Sequence, residues 1–307
     1  MKHITIVLAA ALALASTIHV VPANAQNVRS FVSPTGIDIT NPCTLAAPCR
    51  TFAYAITQTN AGGEIVALDA AGYGTLVINK AITIVSTAGA FIAVPSGGTG
   101  ITITAGPNDD VDIAGLIIDG NGVGQSGIQF NTGKSLTVSN SVIRGMAIGG
   151  ILFEPNASSA LEMSNTVIKN ANTAILVQPS SGTVTVSLSR VELYNHTNAL
   201  LVNGNCCSGT ITAVVADSVA TNNINGFLVQ SFSTPTRLMV IRSVSANNSI
   251  GLNATGAAAT LRVGQSTLTG NTTSWSVSNS GLLRSYGDNN IDGNNDGDPT
   301  PTAIAKK

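Results

Sequence analysis

The chain has 307 residues, 44% of them hydrophobic, 9% charged and 4% aromatic, with a formal net charge of -1. That is too apolar for a disordered chain, and the Ala/Glu/Lys/Leu/Arg enrichment of long helices is missing. A near-neutral balance with no Lys/Arg cluster excludes the electrostatic footprint of a nucleic-acid or anionic-membrane binder, while 31 Gly and frequent Asn favour strands and turns.

The first element in chain order is a leader. Lys2 and His3 precede an apolar run from Ile4 to Ala15, and Ala23-Asn24-Ala25 supplies a small-x-small cleavage site before Gln26. Residues 1–25 are expected to be a signal peptide, which places the remaining chain outside the cytoplasm, secreted or periplasmic. No Cys for lipidation follows the site and no later apolar run is long enough to span a bilayer, so no membrane insertion of the mature chain is expected. In that oxidising setting Cys43 and Cys49, in NPCTLAAPC, are expected to form a disulfide. Cys206 and Cys207 can pair with each other or stay reduced, and neither pair has the surroundings of a zinc site.

Downstream the chain repeats. Asn170, Asn195, Asn222, Asn247, Asn271 and Asn294 recur at steps of 25, 27, 25, 24 and 23, and Gly145 and Gly120 extend the frame backwards by 25 each. A second column runs Val111-x-Ile113, Leu136-x-Val138, Leu161-x-Met163, Val184-x-Val186, Ile211-x-Ala213, Leu238-x-Val240 and Leu261-x-Val263; a third is Ile128, Ile151, Ile175, Leu200, Phe227, Leu252 and Trp275. Within each repeat the apolar residues alternate over short runs broken by Gly, Asn, Ser and Pro, which is the period of strands. Coils of 23–27 residues are too short for propeller blades of about 40. The leucine-rich pattern with its helical half is absent. A parallel β-helix remains, its coils stacked about 4.8 Å apart. The recurring Asn then takes the bend between two strands, where its amide can donate to and accept from the Asn of the next coil in a ladder.

Over residues 101–294 these columns resemble the right-handed parallel β-helix repeat proteins of the pectate-lyase-like superfold. GGEIVALDAAGYGTLVINKAITI, residues 62–84, resembles the first coils of exported members, and FVSPTG with CRTFAYAI resembles their lead-in strand and short capping helix, here Thr51 to Thr59. The resemblance implies an all-β solenoid with an N-terminal cap: a lead-in and cap over 26–63, the β-helix over 64–294, and a polar tail over 295–307. A cap is also needed physically, because the end coil exposes strand edges and apolar core.

The superfold hosts pectate lyases, polygalacturonases and pectin esterases, so fold alone leaves the function open. The Asn-Thr-Asp and Gly-His-Gly motifs of the hydrolases are missing, and Asp109-Asp110, the only Asp pair, stands in a Pro-Asn loop without partners at the distance such a site needs. His196, the one His of the mature chain, is read as a solvated turn residue. One charged column, Asp119, Arg144 and Lys169 with Tyr194, precedes the ladder position in four successive coils and is the alternative catalytic centre of a lyase or hydrolase acting on an acidic polysaccharide. Alternation after the bend sends Leu152, Leu176, Leu201 and Leu228 outward beside Glu154, Gln178, Asn203 and Gln230. That arrangement is expected to bind a glycan or a partner chain, unless the following loops fold back over it. Near the C-terminus Asp288, Asn290 and Asp292 begin an EF-hand-like pattern, but the position of its bidentate Glu holds Pro299, so calcium is only a weak candidate and no other cofactor is expected. The expectation is an exported, non-catalytic surface or binding protein whose partner is a polysaccharide or a cell-surface molecule.

Overall fold

The computed structural model describes residues 26–205 and 208–306, so the leader and the Cys206-Cys207 pair lie outside the described residues. The chain winds as a right-handed parallel β-solenoid of about nine turns. Each coil supplies three short strands, and all the strands pair in parallel with their equivalents one coil away, giving three faces. Face 1 begins with β1 (Asn27–Val32), which pairs with Thr59–Ala67, and continues through Val184–Ser189 to Leu282–Ser285. Face 2 carries Val191–Tyr194 and its equivalents, and face 3 carries Asn198–Asn203 and its equivalents.

Alternation within each strand sends every second residue into the tube. The face 3 column Ile128, Ile151, Ile175, Leu200, Phe227, Leu252 and Trp275 is paired residue for residue across seven coils. On face 1 the register departs from the expected column. Leu161 pairs with Val186 and not Val184, and Val186 pairs with Ala213, which pairs with Leu238. Val184-x-Val186 and Ile211-x-Ala213 are therefore two residues early, a slip that alternation cannot detect because moving by two keeps the same face inward. Val184 and Ile211 are buried as well, so face 1 has an additional inward residue in these coils.

The ends are closed differently. At the N-terminus a helix, α1 (Phe52–Gln58), starts at Thr51, whose hydroxyl accepts the Tyr54 N–H and donates to Asp38; Phe52, Ala55 and Ile56 are buried against the first coils. Cys43 and Cys49 are disulfide-bonded beside it, with their Cα atoms 4.8 Å apart. At the C-terminus the tail returns to face 1: Ser285 N–H donates to Thr302 and Ile304 N–H donates to Ser285. Among the described residues no helix is long and apolar enough to cross a membrane.

Two polar ladders run up the inside corners. Between faces 2 and 3, Gly145, Asn170, Asn195, Asn222, Asn247, Gly270 and Gly293 all have φ between 55° and 76°, the left-handed region that Gly and Asn tolerate best. The buried ladder stands one residue later, on His196, Asn223, Asn248, Asn271 and Asn294. Asn223 Oδ1 accepts the His196 N–H at 2.9 Å, Asn248 Oδ1 accepts both the N–H and the side-chain amide of Asn223 at 2.9 Å, and the pattern repeats through Asn271 and Asn294 to Asp298 Oδ1. Of the six Asn expected in the ladder, only Asn271 and Asn294 belong to it. Asn170, Asn195, Asn222 and Asn247 are exposed turn formers, although Asn195 does donate to Asn170 at 3.0 Å on the outside. The second ladder, between faces 1 and 2, is built of hydroxyls. Ser218, Ser243 and Ser266 each accept the backbone N–H of the coil below and donate to the carbonyl two residues back. Among the described residues no buried side-chain polar atom lacks a partner, as a long solenoid core requires.

Candidate binding face

Face 3 gathers the residues that alternation predicted to point outward. Leu152, Leu176, Leu201 and Leu228 are consecutive partners in the parallel register. Their exposure is uneven. Leu152 and Leu228 are buried, at 8% and 7%, whereas Leu176 and Leu201 between them are half-buried, so the accessible strip is two residues high and not four.

Polar columns border the strip on both sides. On one side Asn203 donates to Gln178 Oε1 at 2.8 Å, in line with Glu154 below and Gln230 above. On the other, which sequence reasoning missed, Asn225 donates to Asn198 at 3.0 Å and Asn198 to Thr173 at 3.4 Å, while Asn253, which follows Leu228 in the leucine column, donates across to Asn225 at 3.2 Å. The signal was present in the sequence: Thr173, Asn198 and Asn225 keep the repeat spacing two residues before the inward Ile175, Leu200 and Phe227. Amides chained in this way keep unused donors and acceptors on their outer side, at the spacing of the coils. Glu154 is the one carboxylate in the row, and burial raises its pKa above the ordinary glutamate value.

The alternative catalytic column lies on the neighbouring face 2. Asp119, Arg144, Lys169 and Tyr194 are successive register partners, as the repeat predicted. Arg144 Nε donates to Asp119 Oδ2 at 2.7 Å, and Lys169 makes no hydrogen bond or ion pair among the described residues. Tyr194 donates to Glu192 at 2.6 Å, and its pKa is pushed up to about 12, first by burial and then by that bond. The Asp109-Asp110 carboxylates, at the start of a face 1 strand, have structural partners: Asp110 holds Lys134 and Ser135, and Asp109 caps the Gly106 turn.

A family model described as right handed beta helix region matches residues 62–236, more than half of the chain. The chain belongs to the right-handed β-helix family. Among curated proteins nothing matches. Among solved structures it is similar to the crystal structure of pectate lyase Pel9A, at 15% identity and a TM-score of 0.45, over 84% of this chain and 67% of that one.

One further sequence expectation for this β-helix chain needs correction. His196 is not solvated: it is 5% exposed, at the foot of the Asn ladder. Its Nδ1 lies 3.2 Å from the Ala171 backbone nitrogen and 3.0 Å from the Ala171 carbonyl, and its Nε2 lies 3.1 Å from the Ile168 carbonyl; burial lowers its pKa against the pull of those two carbonyls. The EF-hand-like residues are not brought together as a cation site. Asp288 accepts from Lys306 at 2.8 Å and from the Gln265 N–H at 3.1 Å, Asn290 lies in a strand on face 2, and Asp292 is exposed. Among the described residues no group of three or more His, Cys, Asp or Glu is placed to hold a metal ion.

Proposed function

We propose that this chain is an exported, non-catalytic β-helix module that binds a polysaccharide, or a cell-surface partner presenting one, along face 3. The observation that carries the proposal is the accessible Leu176–Leu201 pair set between two columns of hydrogen-bonding side chains, Thr173–Asn198–Asn225 and Gln178–Asn203–Gln230. A repeating polymer offers what such a surface needs: hydroxyls for the amide columns and C–H faces for the leucines. Because the amides already hold one another in place, little side-chain freedom is lost on binding.

A second function, a lyase or hydrolase acting on an acidic polysaccharide, draws support from Lys169, which has no hydrogen-bond or ion-pair partner among the described residues and is the register partner of Arg144. It is the weaker proposal because the carboxylate of that column, Asp119, is already engaged by Arg144. The purified protein is to be screened against immobilised neutral and acidic polysaccharides, scoring both retention and release of unsaturated or reducing ends. Retention without release supports the binding module. Release above a blank, abolished by Lys169→Ala, would make the face 2 column an active site.

A further inference from the structure

The groove at the C-terminal end of face 1 has an unexplained charge arrangement. Arg262 and Arg284 are register partners on adjacent coils, and their neighbours Leu261 and Leu283 are buried, so both guanidinium stems rise on the outer side about 4.8 Å apart. The five ion pairs among the described residues use Arg29, Lys134, Arg144, Arg242 and Lys306, and neither Arg262 nor Arg284 makes a hydrogen bond there. Arg237, one outward column away and two coils below Arg284, also makes no ion pair among the described residues. Like charges directly opposite on neighbouring strands destabilise a sheet, and among the described residues no ion pair compensates these two.

Beside the pair lies a groove of about 790 Å³ whose lining includes Met239, Ile241, Arg262, Tyr286, Asp288 and Lys306; Arg284 is not part of the lining and stands one coil above Arg262 at its edge. The returning tail forms one wall, held by the Ser285 and Ile304 backbone bonds and by the Lys306–Asp288 ion pair. The Tyr286 ring lies against Gly264, where an added Cβ would come within 3.0 Å of it.

We propose that this groove binds an oxyanion carried on a cyclic ligand. The anionic group, a carboxylate, sulfate or phosphate monoester, bridges Arg262 and Arg284, whose planar forks match such groups better than an ammonium does. Lys306 is already paired with Asp288, so the two arginines supply the cationic contacts, and the ring of the ligand rests on Tyr286 above Met239 and Ile241. The site is on a different face from the proposed polysaccharide surface and stands independently of it.

Calorimetric titration at fixed ionic strength, with sodium sulfate, D-glucuronate and D-glucose as probes, tests the site. Sulfate and glucuronate are expected to bind saturably, glucuronate more tightly, and glucose not at all. Tyr286→Ala should bring glucuronate down to the sulfate affinity. Arg262→Gln and Arg284→Gln should each weaken both anions about tenfold or more, the scale of one charge-assisted hydrogen bond. Arg284→Glu, which turns the like-charge pair into an ion pair across the coils, should abolish binding while the unliganded melting temperature stays at or above that of the wild type. That result separates loss of the site from loss of the fold. Wild-type affinity in Arg262→Gln or Arg284→Glu, or no saturable binding of either anion, would overturn the proposal.

Discussion

Replacing Asn248 with Ala tests the buried ladder most sharply. The Asn248 side chain makes five hydrogen bonds: Oδ1 accepts from the N–H and amide of Asn223, and Nδ2 donates to Ala220, Ser245 and Asn271. After truncation the Asn223 amide keeps the Leu193 carbonyl at 3.3 Å, and Asn271 Oδ1 keeps the Asn248 N–H. The Asn223 N–H loses its acceptor in a site only 5% exposed. One orphaned buried donor costs roughly 1–3 kcal/mol and each lost net bond about 0.5–1.5 kcal/mol, so Asn248→Ala should cost about 3 kcal/mol. Asn247→Ala, one residue earlier and exposed, loses only the tolerance of a left-handed backbone at φ 55°, worth about 1 kcal/mol. Asn247→Gly should cost almost nothing, because Gly enters that region freely. Equilibrium urea denaturation compares the three variants through their midpoints at constant slope. A loss at Asn247→Ala equal to or larger than that at Asn248→Ala would refute the assignment of the ladder.

Three other outcomes are expected. Burial lowers the His196 pKa, so below about pH 6.5 the unfolded chain takes up a proton that the folded chain refuses; stability should fall by up to about 1.4 kcal/mol per pH unit on acidification. His196→Asn, which continues the Asn ladder, should remove that part of the pH dependence in urea midpoints measured from pH 7.5 to 5. Glu154 has its pKa raised by burial, so its neutral form is favoured in the fold and stability is lost as pH rises past the ordinary glutamate value. Glu154→Gln should therefore be at least as stable as wild type at pH 7, and the difference should vanish by pH 4; a variant clearly less stable at pH 7 would contradict the cause assigned. Alkylation and mass mapping should find Cys43 and Cys49 protected, and reducing this short loop should cost about 2 kcal/mol.

The repeat made the solenoid legible because each coil must bury the same three strand faces, and the column from Ile128 to Trp275 keeps its register without a break. What remained hidden were shifts that leave the burial pattern unchanged. Val184 for Val186 is a slip of two, invisible to alternation. Asn222 and Asn223 are adjacent and chemically identical, so counting could not tell the turn former from the rung. The signal that separates them is that Gly270 and Gly293 precede Asn271 and Asn294, since Gly can replace a turn former but not an amide rung. His196, directly after Asn195, occupies the same column as Asn223 and could have been found by that alignment. On face 3 the outward direction of the leucines followed from the sequence. The covering of Leu152 and Leu228 did not, because it depends on the rest of the fold around each coil.

The central functional claim is that the half-buried leucines of face 3 contact a polysaccharide. Affinity electrophoresis of wild type and Leu201→Asp through gels containing neutral or acidic polysaccharides measures this directly. At least one polysaccharide is expected to retard the wild type, and the retardation is lost in Leu201→Asp while its strand circular dichroism and urea midpoint are kept. Unretarded wild type in every gel, or equal retardation of the two proteins, would contradict it.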